Sequence, residues 1–277
     1  MTKRAFVIAH YDQQGSVRTD LLRLIEKMSG ICERMTFVST NLSPKSRAKV
    51  ERYCRVIIRL NVGYDFSSYQ TGIQSLGDLS EFDEVVIFNS SFICFDPAVL
   101  IERFLAFPRA KNQLIGITKS QEYSEHLQSY FVAFPKAVFC ADYFWEWWVA
   151  LQPINKREDV IQSYEIGMSA YFLQHGCTLR ALFEPGPEQC QKAVELFRRR
   201  YKREPDKSDL NPTHFNWEAL LKETGIMKVE LLAKNPHRLN LKSFYADYGS
   251  RHTDLIQEAC KNRTAKDIVR MIRSKFS

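Results

Sequence analysis

The sequence has no apolar run approaching the roughly 20 consecutive residues that a membrane-spanning helix needs. It has no internal repeat and no low-complexity segment. With 45% hydrophobic residues, it does not have the composition of a disordered chain. The first residues, MTKRAFVIAHYDQQG, have too short an apolar stretch and no small-residue cleavage site for a signal peptide. These absences predict a globular, cytoplasmic protein.

Other motifs are missing too. The seven cysteines are odd in number and contain no CxxC pair, which argues against a zinc site and a disulfide framework. The segment HYDQQG follows the first predicted strand where a dehydrogenase would carry GxGxxG, so the usual phosphate-binding loop is absent. No recognisable nucleic-acid-binding motif is present, and we expect no nucleic-acid partner.

The excess of positive charge lies in the last third of the chain. Residues 191–277 hold 19 Lys and Arg against 11 Asp and Glu, whereas residues 1–190 are close to neutral. Such a region can contact phosphate groups or an anionic membrane surface. A predicted amphipathic helix over 264–276 fits a membrane surface, although such helices also pack on their own domain. A solvated helical face is the alternative interpretation of this charge.

Short apolar runs alternate with amphipathic stretches, as in α/β proteins whose mostly parallel sheet is covered by helices on both faces. Strands are predicted at 5–10, 35–39, 55–60, 84–88, 114–117, 130–134 and 178–183. Helices are predicted at 17–28, 67–76, 97–107, 138–151, 162–174, 189–202, 215–224, 227–234 and 253–260. We place a soft boundary near residue 190, between a domain of residues 1–190 and a basic helical extension of residues 191–277.

Polar residues follow each of the first four predicted strands. In open α/β sheets, ligands bind outside the carboxyl ends of the strands. The residues after these strands include His10, Tyr11 and Asp12, then Ser39, then Asn61, Gly63, Tyr64 and Asp65, and finally Asn89, Ser90 and Ser91. Gly63 suits a tight turn or a close approach of the backbone to a ligand. Tyr64 can stack on a base or a sugar, or belong to the core.

Six segments resemble the rhamnan synthesis F family, glycosyltransferase-like proteins of bacterial O-antigen and cell-wall rhamnose polysaccharide assembly. They are RLNVGYDFSSYQTG, FDEVVIFNSSF, HLQSYFVAF, SYEIGMSAYFLQHG, NPTHFNWEALL and MKVELLAKNP. The resemblance covers roughly residues 5–236. It implies the nucleotide-sugar-binding fold called GT-A, in which an Asn-x-Gly segment precedes a helix and a strand ends in an Asp-x-Asp motif. Asn61 and Gly63 match the first feature.

The Asp-x-Asp position is occupied by Asn89, Ser90 and Ser91, which weakens the expectation of a metal. Mg²⁺ and Mn²⁺ prefer charged oxygen ligands, and many members of the family carry Asp where Ser90 stands. We therefore make no firm metal prediction. Asp65 is left to supply one carboxylate or to bind a ribose or sugar hydroxyl. Without a metal, Arg59 or Lys228 would neutralise the donor diphosphate.

The resemblance also implies catalytic and acceptor-side residues. Glu165 is the candidate general base of an inverting transfer, held ionised by the N-terminus of the predicted helix 162–174; the alternative is a first-turn Glu that only stabilises the helix. His126, Gln128 and Ser129 are candidates for contacts with the acceptor or the phosphate. Asn211 and His214 are further candidates, although Asn211 could simply cap the helix that follows.

The implied function is a rhamnosyltransferase that uses a nucleotide-sugar donor, with dTDP-rhamnose favoured. Its acceptor would be a growing glycan on a lipid carrier at the inner face of the cytoplasmic membrane. A non-catalytic nucleotide- or glycan-binding partner in a polysaccharide assembly complex is the alternative, because both Asp-x-Asp carboxylates are missing.

Overall fold

The predicted apolar runs become strands in the computed structural model, which describes residues 2–260. In that part of the chain the strands are β1 (Arg4–His10), β2 (Arg34–Ser39), β3 (Arg55–Ile58), β4 (Glu84–Asn89), β5 (Phe92–Cys94), β6 (Gln113–Ser120), β7 (His126–Leu127), β8 (Phe131–Pro135), β9 (Thr178–Phe183) and β10 (Ile226–Lys228). All seven strands predicted from the sequence are present, with small differences at their ends.

The main sheet is mostly parallel. Its strands follow the order β3-β2-β1-β4-β8-β6-β9, and the short β7 pairs with one end of β6. Pairing is parallel from β3 to β4 and between β6 and β9, whereas β8 runs antiparallel to both neighbours. The chain moves outward from β1 to β3 and then returns to the other side of β1 for β4. This reversal creates a cleft at the carboxyl ends of β1 and β4.

Helices connect the strands of the described residues, and several of them cover the two faces of the sheet. They are α1 (Thr19–Ser29), α2 (Pro44–Val50), α3 (Tyr64–Ser75), α4 (Pro97–Ala106), α5 (Lys136–Phe139), α6 (Asp142–Ala150), α7 (Arg157–Val160), α8 (Gly167–Gln174), α9 (Pro187–Tyr201), α10 (Pro212–Phe215), α11 (Trp217–Thr224), α12 (Val229–Ala233), α13 (Lys242–Phe244) and α14 (Thr253–Ala259). Turns of 3₁₀-helix lie at Leu79–Glu81 and Lys207–Asp209, and π-helical turns at Ile161–Ile166 and Tyr245–Gly249. The predicted fold class, an α/β protein with a mostly parallel sheet flanked by helices, is confirmed.

The side chains of β1 show how the sheet builds two cores. Val7 contributes to the cluster formed with α3, α6 and α8, while Phe6 and Ile8 contribute to the cluster formed with α1, α4 and α11. Successive side chains of a strand point to opposite faces, so a strand covered on both faces must be apolar throughout. Complete burial of a side chain such as Phe6 contributes about 1.5–3 kcal/mol. These two cores fix the strand ends that form the cleft.

Two helix predictions were wrong. The segment 138–151 is two helices, because the backbone of Ala141 is extended (ψ 148°) and the helix restarts at Asp142. The segment 227–234 begins as strand β10, because residues 226–228 pair antiparallel with β5. Only Val229–Ala233 is helical there. Pairing with a distant strand outweighed the local helical pattern of this segment.

The C-terminal region is joined to the sheet region by several contacts. Its cluster includes Phe197, Trp217 and Phe244, and it also contains Ile93 and Phe95 from the β5 segment. Residue 190 lies inside α9, and the boundary near this residue stays a prediction. The predicted helix 264–276 lies outside the described residues. Within residues 2–260, no helix is long and apolar enough to cross a membrane.

Candidate functional site

Two adjoining cavities open at the carboxyl ends of β1 and β4. The first has a volume of about 820 Å³ and the second about 670 Å³. They share a wall formed by Tyr64, Asp65, Asn89, Ser91, Arg157, Lys228 and Glu230. Two ligands bound side by side would therefore meet at this wall, which we call the junction.

Most of the residues proposed from the strand tips line the first cavity. These are His10, Tyr11, Arg59, Asn61, Gly63, Tyr64, Asp65, Asn89, Ser90 and Ser91. The cavity is lined neither by Asp12 nor by Ser39. Parallel strands bring their carboxyl ends to one edge of the sheet, which is why these three separate segments of sequence meet here.

His10, Asp12 and Ser39 are engaged with their own loops. The ring of His10 is buried, with Nδ1 2.9 Å from Ser39 Oγ and Nε2 3.2 Å from the carbonyl oxygen of Ser16. Asp12 Oδ1 accepts hydrogen bonds from the backbone N–H groups of Gln14 and Ser16. These bonds fix the loop after β1 and leave Tyr11, which is 55% exposed, facing the cavity.

Arg59 organises the loop between β3 and α3. Its guanidinium donates hydrogen bonds to Ser68 Oγ (2.8 Å) and to the carbonyl oxygens of Leu60, Val62 and Tyr64. Gly63 in this loop has a φ of 74°, and a Cβ there would lie 1.9 Å from the Oγ of a neighbouring serine. The turn therefore requires glycine, and α3 can begin at Tyr64, three residues earlier than the sequence predicted.

Asp65 and Asn89 form the floor of the junction. Asn89 donates from Nδ2 to Asp65 Oδ2 at 2.8 Å, and its Oδ1 accepts the backbone N–H of Ser91 at 2.9 Å. Burial raises the pKa of Asp65 to about 6, although the charges of Lys228 and Arg59 act in the opposite direction. Near neutral pH the junction thus holds a carboxylate that is close to its titration range.

The junction is poorly suited to a divalent cation. Mg²⁺ and Mn²⁺ favour several charged oxygen ligands, but the Asn89-Ser90-Ser91 tip itself has no carboxylate. The Oδ2 atom of Asp65 already accepts a hydrogen bond from Asn89. A second carboxylate of the junction, Glu230, lies 3.9 Å from Arg157. In residues 2–260 no group of three His, Cys, Asp or Glu side chains could hold a metal. The ammonium of Lys228 lies 3.0 Å from Ser91 Oγ, on the same strand tip. A second cation placed there would be repelled.

Glu165 lies in the wall of the second cavity and is anchored by the HLQSYF segment. Its Oε2 accepts hydrogen bonds from the backbone N–H of Ser129 (2.7 Å) and from Ser129 Oγ. The Nδ1 atom of His126 donates to the carbonyl oxygen of Ser124, and Nε2 lies 3.9 Å from Glu165 Oε1. Oε2 is therefore held in place, whereas Oε1 has no hydrogen-bond partner within 3.5 Å among the described residues.

The local reason given for Glu165 was wrong. The helical segment begins at Arg157, so Glu165 lies two turns inside it, within the π-helical turn Ile161–Ile166. A helix N-terminus influences charges mainly within its first turn, so it cannot hold this carboxylate ionised. A π-turn widens the helix locally. The environment of the Glu165 carboxylate is instead set by the two hydrogen bonds from Ser129.

The second cavity also contains the other acceptor-side candidates apart from His126. The cavity is lined by Gln128, Ser129, Asn211, His214 and Lys228. Gln128 accepts a hydrogen bond from Thr118 Oγ1, and Asn211 caps α10 by accepting from the N–H and Oγ of Thr213.

His214 differs from these capped and bonded side chains. It is 8% exposed, and neither ring nitrogen has a hydrogen-bond partner among the described residues. Burial, with a smaller contribution from nearby His237, lowers the pKa of His214 to about 4. At neutral pH the ring is therefore uncharged, with one nitrogen able to donate a hydrogen bond and the other able to accept one.

Several lining residues were missed by the sequence analysis. Asn155 Oδ1 accepts the N–H of Gly63 at 3.0 Å, which ties the loop before α7 to the loop before α3. Arg157 and Glu230 lie in the junction, 3.9 Å apart. Glu230 could have been proposed from the sequence, because it belongs to the MKVELLAKNP segment that carries the family resemblance. No local pattern marks Asn155 or Arg157, which are polar residues in a loop and in the first turn of a helix.

Residues 35–201, more than half of the chain, match the sequence profile of the family described as "Rhamnan synthesis protein F". This match confirms the resemblance of the motifs in the sequence. The loop after β3, the HLQSYF segment and Glu165 lie inside the matched range, whereas His214 and Lys228 lie beyond it.

A curated relative from Sinorhizobium fredii, described as "Uncharacterized protein y4gN", is 23% identical over 184 residues. The match covers 65% of this chain and 48% of the relative, so the chain spans about half the length of the curated relative it matches.

Solved structures with a similar course of the chain include glucosyl-3-phosphoglycerate synthase from Mycobacterium tuberculosis. It has a TM-score of 0.40 at 10% identity, with 69% of this chain and 75% of that chain covered. A galactosyltransferase 7 from Drosophila has a TM-score of 0.37 at 8% identity, with 67% and 66% covered. Likenesses at this level say nothing about the substrate of this chain.

Proposed function

Because the chain belongs to the rhamnan synthesis protein F family of glycosyltransferase-like proteins, we propose that it transfers a sugar from a nucleotide-sugar donor to a hydroxyl group of an acceptor glycan. The observation that carries this proposal is the pair of adjoining cavities with an anchored carboxylate, Glu165, in the second. A donor in the first cavity and an acceptor in the second would bring the reacting groups together at the junction.

The proposed reaction proceeds with inversion, and Glu165 is the general base. It takes the proton of the acceptor hydroxyl as that oxygen attacks the anomeric carbon of the donor sugar. The bond from the anomeric carbon to the diphosphate oxygen breaks, and its electron pair leaves with the nucleoside diphosphate. The Ser129 hydrogen bonds to Oε2 support this role, because they orient the carboxylate and leave Oε1 for the proton.

We propose dTDP-rhamnose as the donor, and the family resemblance supports this choice. The first cavity offers the chemistry that a nucleotide needs, with hydrogen-bonding groups on the strand tips and exposed aromatic rings. Tyr11 and Tyr64 are 55% and 45% exposed and lie at the cavity wall, where either ring can stack on a base. Asn61, which is exposed at the cavity wall, is available for ribose or sugar hydroxyls.

The proposed acceptor is a growing glycan on a lipid carrier, reached at the inner face of the cytoplasmic membrane. The second cavity suits a neutral sugar. His214 lines this cavity, and its uncharged ring nitrogens are buried and have no hydrogen-bond partner among the described residues. Such nitrogens are suited to hydrogen bonds with hydroxyl groups. The rings of Tyr123 and Tyr201 at the wall are exposed and can pack on a sugar face.

A second candidate is a non-catalytic nucleotide- or glycan-binding partner within a polysaccharide assembly complex. The observation that favours it is the Asn89-Ser90-Ser91 tip, which has no carboxylate. A chain of this kind would bind a nucleotide or a glycan in the cleft without turnover.

The test is an assay of nucleoside diphosphate release from dTDP-rhamnose, UDP-sugars and GDP-sugars, with and without a lipid-linked glycan acceptor. We expect acceptor-dependent release with one donor, reduced at least about 100-fold by Glu165→Gln, since general bases contribute typically 10²–10⁴-fold. Gln keeps an oxygen that can accept from Ser129. Glu122→Gln, at an exposed position of the same cavity, is the matched control and should retain activity.

The same variants separate the two candidates. Nucleotide binding in a thermal-shift measurement, combined with turnover that is absent or insensitive to Glu165→Gln, would favour the non-catalytic partner. If dTDP, UDP and GDP all fail to raise the melting temperature, the nucleotide-sugar proposal fails, because a ligand that binds only the folded state must stabilise it.

A further inference from the structure

Lys228 places an ammonium group at the junction of the two cavities. It is the last residue of β10, whose antiparallel pairing with β5 sets it opposite Phe92. Its Nζ donates to Ser91 Oγ at 3.0 Å and lies 4.1 Å from the centre of the Tyr130 ring. The C-terminal region therefore contributes a cation to the strand tip that follows β4.

This ammonium group has no carboxylate partner at contact distance. Within residues 2–260, no carboxylate oxygen lies closer than 4.0 Å to Nζ. Burial lowers the pKa of Lys228, while the more distant charges of Glu165, Glu230 and Asp65 act in the opposite direction. Burial of a cation without an anionic partner costs free energy, and an anion bound beside the ammonium group would offset this cost.

The other cations of the first cavity are already committed. Arg18 pairs with Asp20 at 2.8 Å. Lys234 and Arg157 lie 3.8 Å and 3.9 Å from carboxylate oxygens of Glu230. The nitrogens of Arg59 donate to Ser68 and to the carbonyl oxygens of its own loop. Lys228 is thus the cation of this wall best placed to accept an anionic ligand, and its ammonium has two further N–H groups to donate.

We propose that Lys228 binds the diphosphate of the donor in place of a divalent cation, so that this chain binds nucleoside diphosphates without a metal. The proposal rests on the proposed function for the identity of the nucleotide, and it adds the means of charge compensation. Asn89, Ser90 and Ser91 give a metal no charged ligand, whereas the ammonium is already seated on Ser91. As the bond to the anomeric carbon breaks, it would stabilise the negative charge that develops on the leaving diphosphate.

The experiment measures binding of dTDP, UDP, GDP and inorganic pyrophosphate by isothermal titration calorimetry, in EDTA and in Mg²⁺ or Mn²⁺. We expect one nucleoside diphosphate to bind equally well in EDTA. Lys228→Met keeps an unbranched side chain of similar length over Tyr130. It should weaken this binding at least about 10-fold, which corresponds to the loss of one charge-assisted hydrogen bond. Lys234→Met, at an exposed position of the same wall, is the control and should change it less than about 3-fold.

The outcomes for this proposal and for the proposed function can be told apart. Binding of a nucleotide only with Mn²⁺ or Mg²⁺, or equal binding by Lys228→Met, would overturn the role of Lys228 and leave the donor proposal standing. Pyrophosphate binding that needs Lys228, without binding of any nucleotide, would retain the anion site and overturn the donor. Absence of binding by all four probes would overturn both. The comparison of EDTA with metal uses the unmodified protein, so it remains decisive even if Lys228→Met fails to fold.

Discussion

The loop after β3 and the junction of the two cavities differ in how far their polar groups are satisfied. In the loop, the guanidinium of Arg59 is occupied by Ser68 and three carbonyl oxygens. At the junction and in the second cavity, Lys228 has one hydroxyl partner and His214 has none among the described residues. Buried polar groups are normally hydrogen-bonded. The satisfied groups shape the cleft, and the unsatisfied ones are the groups left for a ligand.

Replacing a satisfied group should cost the most stability. Arg59→Met removes the donor that holds the carbonyl oxygens of Leu60, Val62 and Tyr64. We expect the free energy of unfolding to fall by about 3 kcal/mol, since hydrogen bonds to a charged group contribute about 1.5–3 kcal/mol each and these are partly exposed. Urea unfolding gives the value. Arg55→Met, at the exposed first residue of β3, is the control and should change it by less than about 0.5 kcal/mol. Equal losses in the two variants would contradict the organising role of Arg59.

Asp65 should show the opposite behaviour, because its ionised form is disfavoured in the folded state. Its pKa is raised to about 6, so between about pH 4 and pH 6 the folded state binds more protons than the unfolded state. Stability therefore falls as the pH rises through this range. We expect Asp65→Asn to raise the free energy of unfolding at pH 7.5 by about 2 kcal/mol and to flatten this dependence.

The measurement for Asp65 is urea unfolding at pH 4.5 and pH 7.5. Asp159→Asn, at an exposed aspartate, serves as the control and should show no such gain. A loss of stability at pH 7.5 in Asp65→Asn would mean that attraction to the charges of Lys228 and Arg59 outweighs the burial of the carboxylate.

His214 should give the smallest effect at neutral pH. His214→Phe removes two unsatisfied nitrogens from a buried site, and we expect it to be neutral or stabilising by about 1 kcal/mol at pH 7.5. The pKa of His214 is lowered to about 4, so the unfolded state binds more protons between about pH 4 and pH 6.5 and stability falls as the pH falls. The advantage of His214→Phe should therefore grow at pH 5.

Unfolding of His214→Phe at the two pH values can be compared with that of His175→Phe, which replaces an exposed histidine. Weaker acceptor use together with unchanged stability would support a ligand role for His214. A loss of stability at pH 7.5 would instead reveal a structural partner for its ring.

Much of the fold could be predicted from the sequence. The apolar runs at 5–10 and 84–88 form strands that are buried on both faces. A strand buried on both faces is hydrophobic throughout, and this continuous pattern is visible in the sequence. The segment 227–234 could not be predicted in the same way. It was expected to be helical, but residues 226–228 pair with β5, more than 130 residues earlier in the chain. Local patterns contain no information about such a partner.

The candidate site was predictable to a similar extent. Most of the residues proposed from the strand tips and the HLQSYF segment line one of the two cavities, because the carboxyl ends of parallel strands share an edge. The reasoning about Glu165 failed, since the start of its helix was placed at residue 162 instead of Arg157. The contact that holds Glu165 comes from Ser129, which is 36 residues away in sequence.

The sequence by itself determined the α/β class and the edge of the sheet where polar residues gather, because strand periodicity and the residues that follow each strand are local properties. Only the tertiary structure decided which of those residues are free to act. Arg59 donates its hydrogen bonds to Ser68 and within its own loop. Lys228 contacts Ser91, which is 137 residues away in sequence, and has no carboxylate oxygen within 4.0 Å among the described residues. Whether a polar group has hydrogen-bond partners depends on atoms that folding brings together, and this is why Arg59 and Lys228, two cations of one cavity wall, have different roles.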